Sequence, residues 1–99
     1  MSRYIMSPRA REDIKVISRY IAKERNSPAG ASILRQRLMD HFRKLASQPG
    51  VGEARPDLGV SVRQWPVGNY VVYYEQIAGG VRIIRVIHGA RDVPNAFRE

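Results

Sequence analysis

VSVRQWPVGNYVVYYEQIAGGVRIIRVIH, residues 60–88, is the stretch on which the fold turns. It contains three runs rich in β-branched and aromatic residues, at 60–67, 70–76 and 81–88. Such runs suit a pleated, half-buried surface and read as strands. Gly68-Asn69 supplies the turn between the first two, and Ala78-Gly79-Gly80 the turn before the third. The spacing predicts an antiparallel meander. Pro66 has no N–H to give to a ladder, so the far end of the first run belongs at an edge or a bulge. Near the N-terminus Tyr4-Ile5-Met6 is too short for a helix and reads as a further strand of the same sheet.

Between that strand and the meander lie two helical patterns. Ser7-Pro8 is a helix start, with a side-chain oxygen to cap and a proline at the first helical position. The helix is predicted over about 8–25. Its apolar stripe is Ala10, Ile14, Ile17 and Ile21, while Arg11, Lys15, Arg19 and Lys23 form a basic ridge roughly opposite. Val16 and Tyr20 fall on the flank between. Ser27-Pro28 repeats the start signal for a helix predicted over 28–47, with the stripe Ala31, Leu34, Leu38, Phe42 and Leu45. Gln48-Pro49-Gly50 ends it, and residues 51–59, with glycine, proline and mixed charges, read as a loop. The short connection makes the helices an antiparallel hairpin. The expected fold is therefore α+β in the order β-α-α-β-β-β, with the hairpin covering one face of a small, mainly antiparallel sheet. One domain over 1–99 is expected, with the hairpin at about 8–47, the meander at 60–88 and a tail at 89–99.

The 99 residues carry a net charge of +8. Residues 1–50 hold 11 Lys/Arg against 4 Asp/Glu, and residues 51–99 hold 6 against 5, so the excess sits on the helical half. An acidic partner accounts for this, and so does solubility alone. There is no cysteine, which excludes disulfides and thiolate chemistry. No signal core or apolar run of about 20 residues occurs, so no membrane is expected and the cytoplasm is the expected compartment. His41 and His88 fall on different elements with no carboxylate at ligand spacing, so no metal is expected. No phosphate loop, dinucleotide fingerprint or nucleophile elbow is present, and no cofactor is implied.

Four residues of the meander could carry chemistry. In the last strand strict alternation sets Arg85 beside Ile83 and Ile87, and places Ile84, Val86 and His88 on the other face. A buried unpaired guanidinium is heavily penalised, so Arg85 is expected on the open face of the sheet. Arg63 and one of Tyr73 or Tyr74 could join it there, suiting RNA phosphate and base stacking. Ordinary cross-strand pairs on a solvated face explain the same residues. His88, before Gly89, is either a general acid–base or a hydrogen-bonded turn residue. Trp65 and Tyr20 read as core-edge residues that could line a partner groove, and His41 as solvated surface.

Taken in order, these segments resemble the ParE-type toxins of the RelE/ParE superfamily. The likeness runs through Tyr4-x-x-Ser7-Pro8-x-Ala10-x-x-Asp13-Ile14-x-x-Ile17-x-x-Tyr20-Ile21, through Arg55-Pro56-Asp57-Leu58-Gly59 and Val62–Gly68, and ends in the sharpest piece, His88-Gly89-Ala90-Arg91-Asp92. It implies the RelE/ParE fold and a toxin of a type II toxin–antitoxin system, with no enzymatic activity if it inhibits DNA gyrase. It also leaves open a RelE-like mRNA endoribonuclease, for which Arg63, Tyr73, Arg85 and His88 are the candidate residues. The absence of any lysine after Lys44 weighs against that alternative. A non-toxic nucleic-acid-binding module is a further alternative. The resemblance implies two partners, a ParD-like antitoxin in a hetero-oligomer and gyrase, with or without DNA. Arg85, His88, Arg91 and Phe97 are the expected target contacts. Arg11, Lys15, Val16, Arg19, Tyr20 and Lys23 are the expected antitoxin contacts.

Overall fold

A computed structural model describes residues 2–98; Met1 and Glu99, the ends of the expected domain and tail, lie outside the described residues. Strand β1 (Arg3–Met6) leads into helix α1 (Pro8–Arg19), a π-helical turn (Tyr20–Glu24) and helix α2 (Pro28–Ser47). A short turn, Pro49–Val51, precedes β2 (Glu53–Ala54), β3 (Arg63–Val67), β4 (Tyr70–Ile77) and β5 (Gly80–His88), and helix α3 (Val93–Arg98) follows. The five strands form one sheet in the order β1-β5-β4-β3-β2, parallel only between β1 and β5. The α+β reading and the helical hairpin agree with this architecture. Among the described residues no helix is long and apolar enough to cross a membrane.

The caps work as the sequence implies. Ser7 Oγ accepts the Ala10 N–H at 3.0 Å and Ser27 Oγ accepts the Gly30 N–H at 3.0 Å, satisfying donors that have no partner within the helix. The first helix departs from expectation at its end. Beyond Arg19 it widens by one residue per turn, with the Arg25 N–H bonded to the Tyr20 carbonyl, and Asn26 takes a positive φ of 50° to leave it. Asparagine tolerates that left-handed conformation better than most residues. On the flank of this helix Tyr20 and Val16 are about half exposed, at 52% and 53%.

The helices cover one sheet face with a core built around Phe42, Leu38 and Leu45, packed on Val72, Tyr74, Val81, Ile83 and Val86. The buried Tyr74 hydroxyl donates to the Pro49 carbonyl and accepts the Gly52 N–H, both at 2.8 Å, so its polar atom is satisfied. β1 lies so close to β5 that a Cβ at Gly80 would collide with the Arg3 carbonyl. β2 was not foreseen within the loop. It pairs only Gln64 and Arg63 of β3, so Pro66 stands on an unpaired edge where its missing N–H costs nothing. The first meander strand also begins later than expected. Gly59–Val62 forms a turn, and Val60 projects fully into solvent.

Two features correct the sequence reading. Tyr73 pairs with Arg85 while Tyr74 pairs with Ile83, so Ile84 is an extra residue in a β-bulge. The bulge resets the alternation: Ile83 and Val86 both face the helices, and Arg85 and Ile87 face away. The second correction concerns the face away from the hairpin. It is not open, because α3 and the loop before β3 cover it with a smaller core of Val62, Tyr73, Ile87 and Ala96, flanked by Phe97.

Burial holds the phenols of Tyr73 and Tyr74 above the ordinary value of 10.0, and burial followed by the nearby Tyr20 does the same to Tyr70. In the unfolded chain these groups ionise first. Their contribution to stability is therefore complete below pH 10.0 and is lost as pH rises toward their folded values. Two outcomes are expected: the urea midpoint falls above that pH, and phenolate absorbance shows a late-titrating class of tyrosines. Five tyrosines titrating together in the folded protein would contradict it.

Candidate functional site

The site begins where a strand runs out. β1 pairs with β5 only as far as Ile83, and beyond that point the edge of β5 has no strand beside it. The chain entering α1 takes over. The Ser7 N–H donates to the Ile83 carbonyl at 2.9 Å, and Ser7 Oγ donates to the Ile84 carbonyl at 2.7 Å. Nearly two helical turns later, Asp13 Oδ2 accepts the Val86 N–H at 2.9 Å.

The same carboxylate meets Arg85 in a two-point pair, with Nε to Oδ2 at 2.8 Å and Nη2 to Oδ1 at 3.0 Å. The remaining arm of Arg85, Nη1, donates to the carbonyls of Ala96 and Phe97 at the end of α3. Arg85 is 3% exposed and fully engaged. It does lie on the sheet face away from the hairpin, as expected, but under α3 rather than in solvent. The position anticipated as a target contact is thus interior, and its role in the fold is to hold α3 down.

The other nuclease candidates do not converge with it. Arg63 Nη1 donates to the Gly52 carbonyl at 2.7 Å and holds the turn after α2. Tyr73 is 1% exposed, edge-on to Phe97 at 5.7 Å and beneath the Arg55 guanidinium at 6.0 Å. Arg55 itself grips Asp57 through two nitrogens, at 2.9 and 2.8 Å. That bonding holds the Asp57 carboxyl below its ordinary value and raises Arg55. Phe97, another anticipated target contact, is partly buried against Tyr73. His41 differs from the solvated residue expected. It is half-buried, and its Nδ1 accepts the Trp65 Nε1–H at 3.0 Å, with Lys44 over the indole ring at 4.9 Å.

The remaining anticipated residues lie on accessible surface. Arg11, Lys15, Arg19 and Lys23 are exposed along α1 and its π turn. Beside them runs a groove of about 350 Å³. Val16, Ile17 and Tyr20 form one wall, Asn69 and Tyr70 the other, and the end of β5 from Val86 to His88 the floor. Arg25 and Arg91 stand at its rim, and it continues past Arg25 and Tyr70 toward Ser27. His88 Nδ1 accepts the Ala90 N–H at 3.1 Å, and its ring stands edge-on to Tyr70 at 5.3 Å. His88 is therefore a turn-shaping residue at the groove mouth. Among the described residues that line this groove the one carboxylate is Asp13, which Arg85 already neutralises.

A family model described as "ParE toxin of type II toxin-antitoxin system, parDE" matches residues 4–93. The chain belongs to this family of toxins. Among solved structures, a chain of the "Chromosomal ParDE TA system from P. aeruginosa" is similar, with a TM-score of 0.70 at 18% identity, over 89% of this chain and 96% of that one. At that identity the likeness speaks for the fold. No curated protein matches the chain. The toxin's family is thus shared along nearly all of its length, from β1 to the start of α3.

Reading the residues one by one missed Asp13, Arg25 and Tyr70 as parts of the site. A signal for Asp13 was present: it is an acid in a basic helix, directly before the buried Ile14 and one turn after the buried Ala10. Replacing it should expose the dependence of the fold on this group. Asp13→Ala leaves Arg85 buried without a counter-charge and is expected to cost about 3–5 kcal/mol. Urea unfolding measures this; a loss below about 1 kcal/mol, the level of an exposed pair, would contradict the role given to the carboxylate.

Proposed function

We propose that this toxin inhibits DNA gyrase by binding and is neutralised by an antitoxin whose acidic segment lies on the helical hairpin. The observation that carries the first part is the fate of the basic and aromatic residues of the sheet. Arg63, Tyr73 and Arg85 are each consumed by internal contacts, which favours a binding mode of action over RNA cleavage. A poison of this kind makes and breaks no bond and needs no cofactor. It must bind the enzyme's cleaved-DNA state better than the resealed one, since equal affinity for both shifts nothing. His88, Arg91 and the exposed side of α3, with the half-buried Phe97 at its margin, form the target surface, with Arg85 contributing by fixing α3. Such a toxin works in the bacterial cytoplasm, where gyrase and DNA are found.

Control by the antitoxin follows from the other accessible surface. The ridge Arg11, Lys15, Arg19 and Lys23 attracts an acidic chain and speeds encounter. The half-exposed Val16 and Tyr20 beside it supply apolar anchors that a charged ridge lacks. A flexible antitoxin segment that orders on this surface trades conformational entropy for contact area. The complex is a hetero-oligomer.

Two measurements test the reading. Purified toxin is expected to block gyrase supercoiling and to accumulate linear DNA. Normal supercoiling at saturating toxin, with mRNA cut in a translation extract, would instead favour the ribonuclease. Tyr20→Ala is expected to weaken antitoxin binding by more than about 1 kcal/mol, roughly fivefold or more. Its thermal stability should stay close to that of the parent, because the ring is about half in solvent already. A fall in stability with an unchanged dissociation constant would assign Tyr20 to the fold alone.

A further inference from the structure

Helix α2 has a charged flank that the function proposed above does not use. The helix carries Arg35, Arg37, Arg43 and Lys44 against one carboxylate, Asp40. Arg43 pairs with Asp40 at 2.9 Å, and Arg35 Nη2 donates to Ser32 Oγ at 3.3 Å. Arg37 and Lys44 are exposed and have no carboxylate partner among the described residues. Seven residues, two helical turns, separate them, so they lie on one side of α2 about 10 Å apart along its axis. His41 sits between them on the same side.

The sheet completes this strip. At one end Arg37 leans on the β3–β4 turn: a Cβ at Gly68 would lie 3.8 Å from Arg37 Nη1. At the other, Lys44 Nζ lies 4.9 Å from the centre of the Trp65 ring, whose Nε1–H is already given to His41 at 3.0 Å. The indole is half-buried, and its attraction for the ammonium holds Lys44 over β3.

Two cations at a fixed spacing match a ligand with regularly repeated negative charge. A nucleic-acid strand offers one about every 3.4 Å of its axis, so the strip spans about three nucleotides. Single strands are gripped by exposed aromatic faces as well as by charge. Here one face of Trp65 is taken by Lys44 and the ring is half-buried, so bases have little to stack on. Phosphate contacts without base contacts suit the outside of a duplex, read independently of sequence. We propose that Arg37 and Lys44, with Trp65 orienting Lys44, form a contact for the phosphate backbone of duplex DNA. The choice of duplex DNA rests on the gyrase reading above, since that target works on DNA, and the strip would let the toxin touch the DNA as well as the enzyme.

Anisotropy of a short labelled duplex, titrated with purified toxin across a salt series, tests this. Arg37→Gln/Lys44→Gln removes the strip, and Arg35→Gln/Arg43→Gln removes the same charge elsewhere on α2. All four side chains are exposed, so both variants are expected to keep the parent's thermal stability. The strip variant is expected to bind about tenfold more weakly at about 0.1 M salt, with the slope of log affinity against log salt reduced by about 2. The control is expected to stay within about threefold of the parent. Equal losses in the two variants would overturn the site, leaving net charge as the cause. Tighter binding of a single strand of the same length would overturn the duplex assignment. Unchanged duplex affinity in the strip variant would overturn the contact, and weakened antitoxin binding beside it would give the strip to an acidic protein instead. Supercoiling assayed in parallel separates the two readings: normal gyrase activity with strip-dependent duplex binding sinks gyrase inhibition and leaves the contact standing.

Discussion

The Asp13 carboxylate joins three elements that would otherwise meet only loosely. It satisfies the Val86 N–H where β1 no longer covers β5, and it neutralises Arg85, whose free arm then fastens the end of α3. Carboxylate and guanidinium are both largely buried, at 14% and 4% side-chain exposure. A pair this deep gives little net stability relative to an apolar substitute, because both ions lose their hydration. What it imposes is position. α1 must sit with Asp13 opposite Val86, and α3 must end over Arg85, or a charge is stranded in the interior.

The bulge at Ile84 makes this geometry possible. Without the extra residue, strict alternation would have set Arg85 on the same side as Ile83, facing Phe42 and Leu38. With it, Ile84 and Arg85 both turn to the face that α3 covers, and Val86 returns to the main core. A single inserted residue thus separates an apolar core from a charged clamp. There α3 and the loop before β3 bury Arg85 and Tyr73, so the sheet face carries a second packed layer where a catalytic floor would need exposed groups.

The packing leaves several basic and apolar surfaces open. The basic ridge of α1, the groove below it and the outer side of α3 are accessible. Charge and exposed apolar surface lie side by side here: the ridge carries the one, Val16 and Tyr20 the other. A toxin–antitoxin pair suits this arrangement, because the toxin must be stable alone and still offer a partner a large, unoccupied surface.

Residue order alone determined a good deal. The capped starts at Ser7-Pro8 and Ser27-Pro28, the apolar stripes and the glycine turns are local signals, legible because a helix or hairpin obeys its own periodicity. From them came the order of the elements, the hairpin on one sheet face, and the ridge with Val16 and Tyr20 at its flank. The ordered motifs, ending in His88-Gly89-Ala90-Arg91-Asp92, pointed to the family. Tertiary structure decided the rest. The bulge at Ile84, the two-residue β2, the covering of the second face by α3 and the Asp13–Arg85 clamp depend on partners up to 72 residues away in the chain. No local pattern records which of several basic residues will find a buried carboxylate. That outcome is set by the sum of packing and desolvation across the whole molecule, which exists only once the chain has folded.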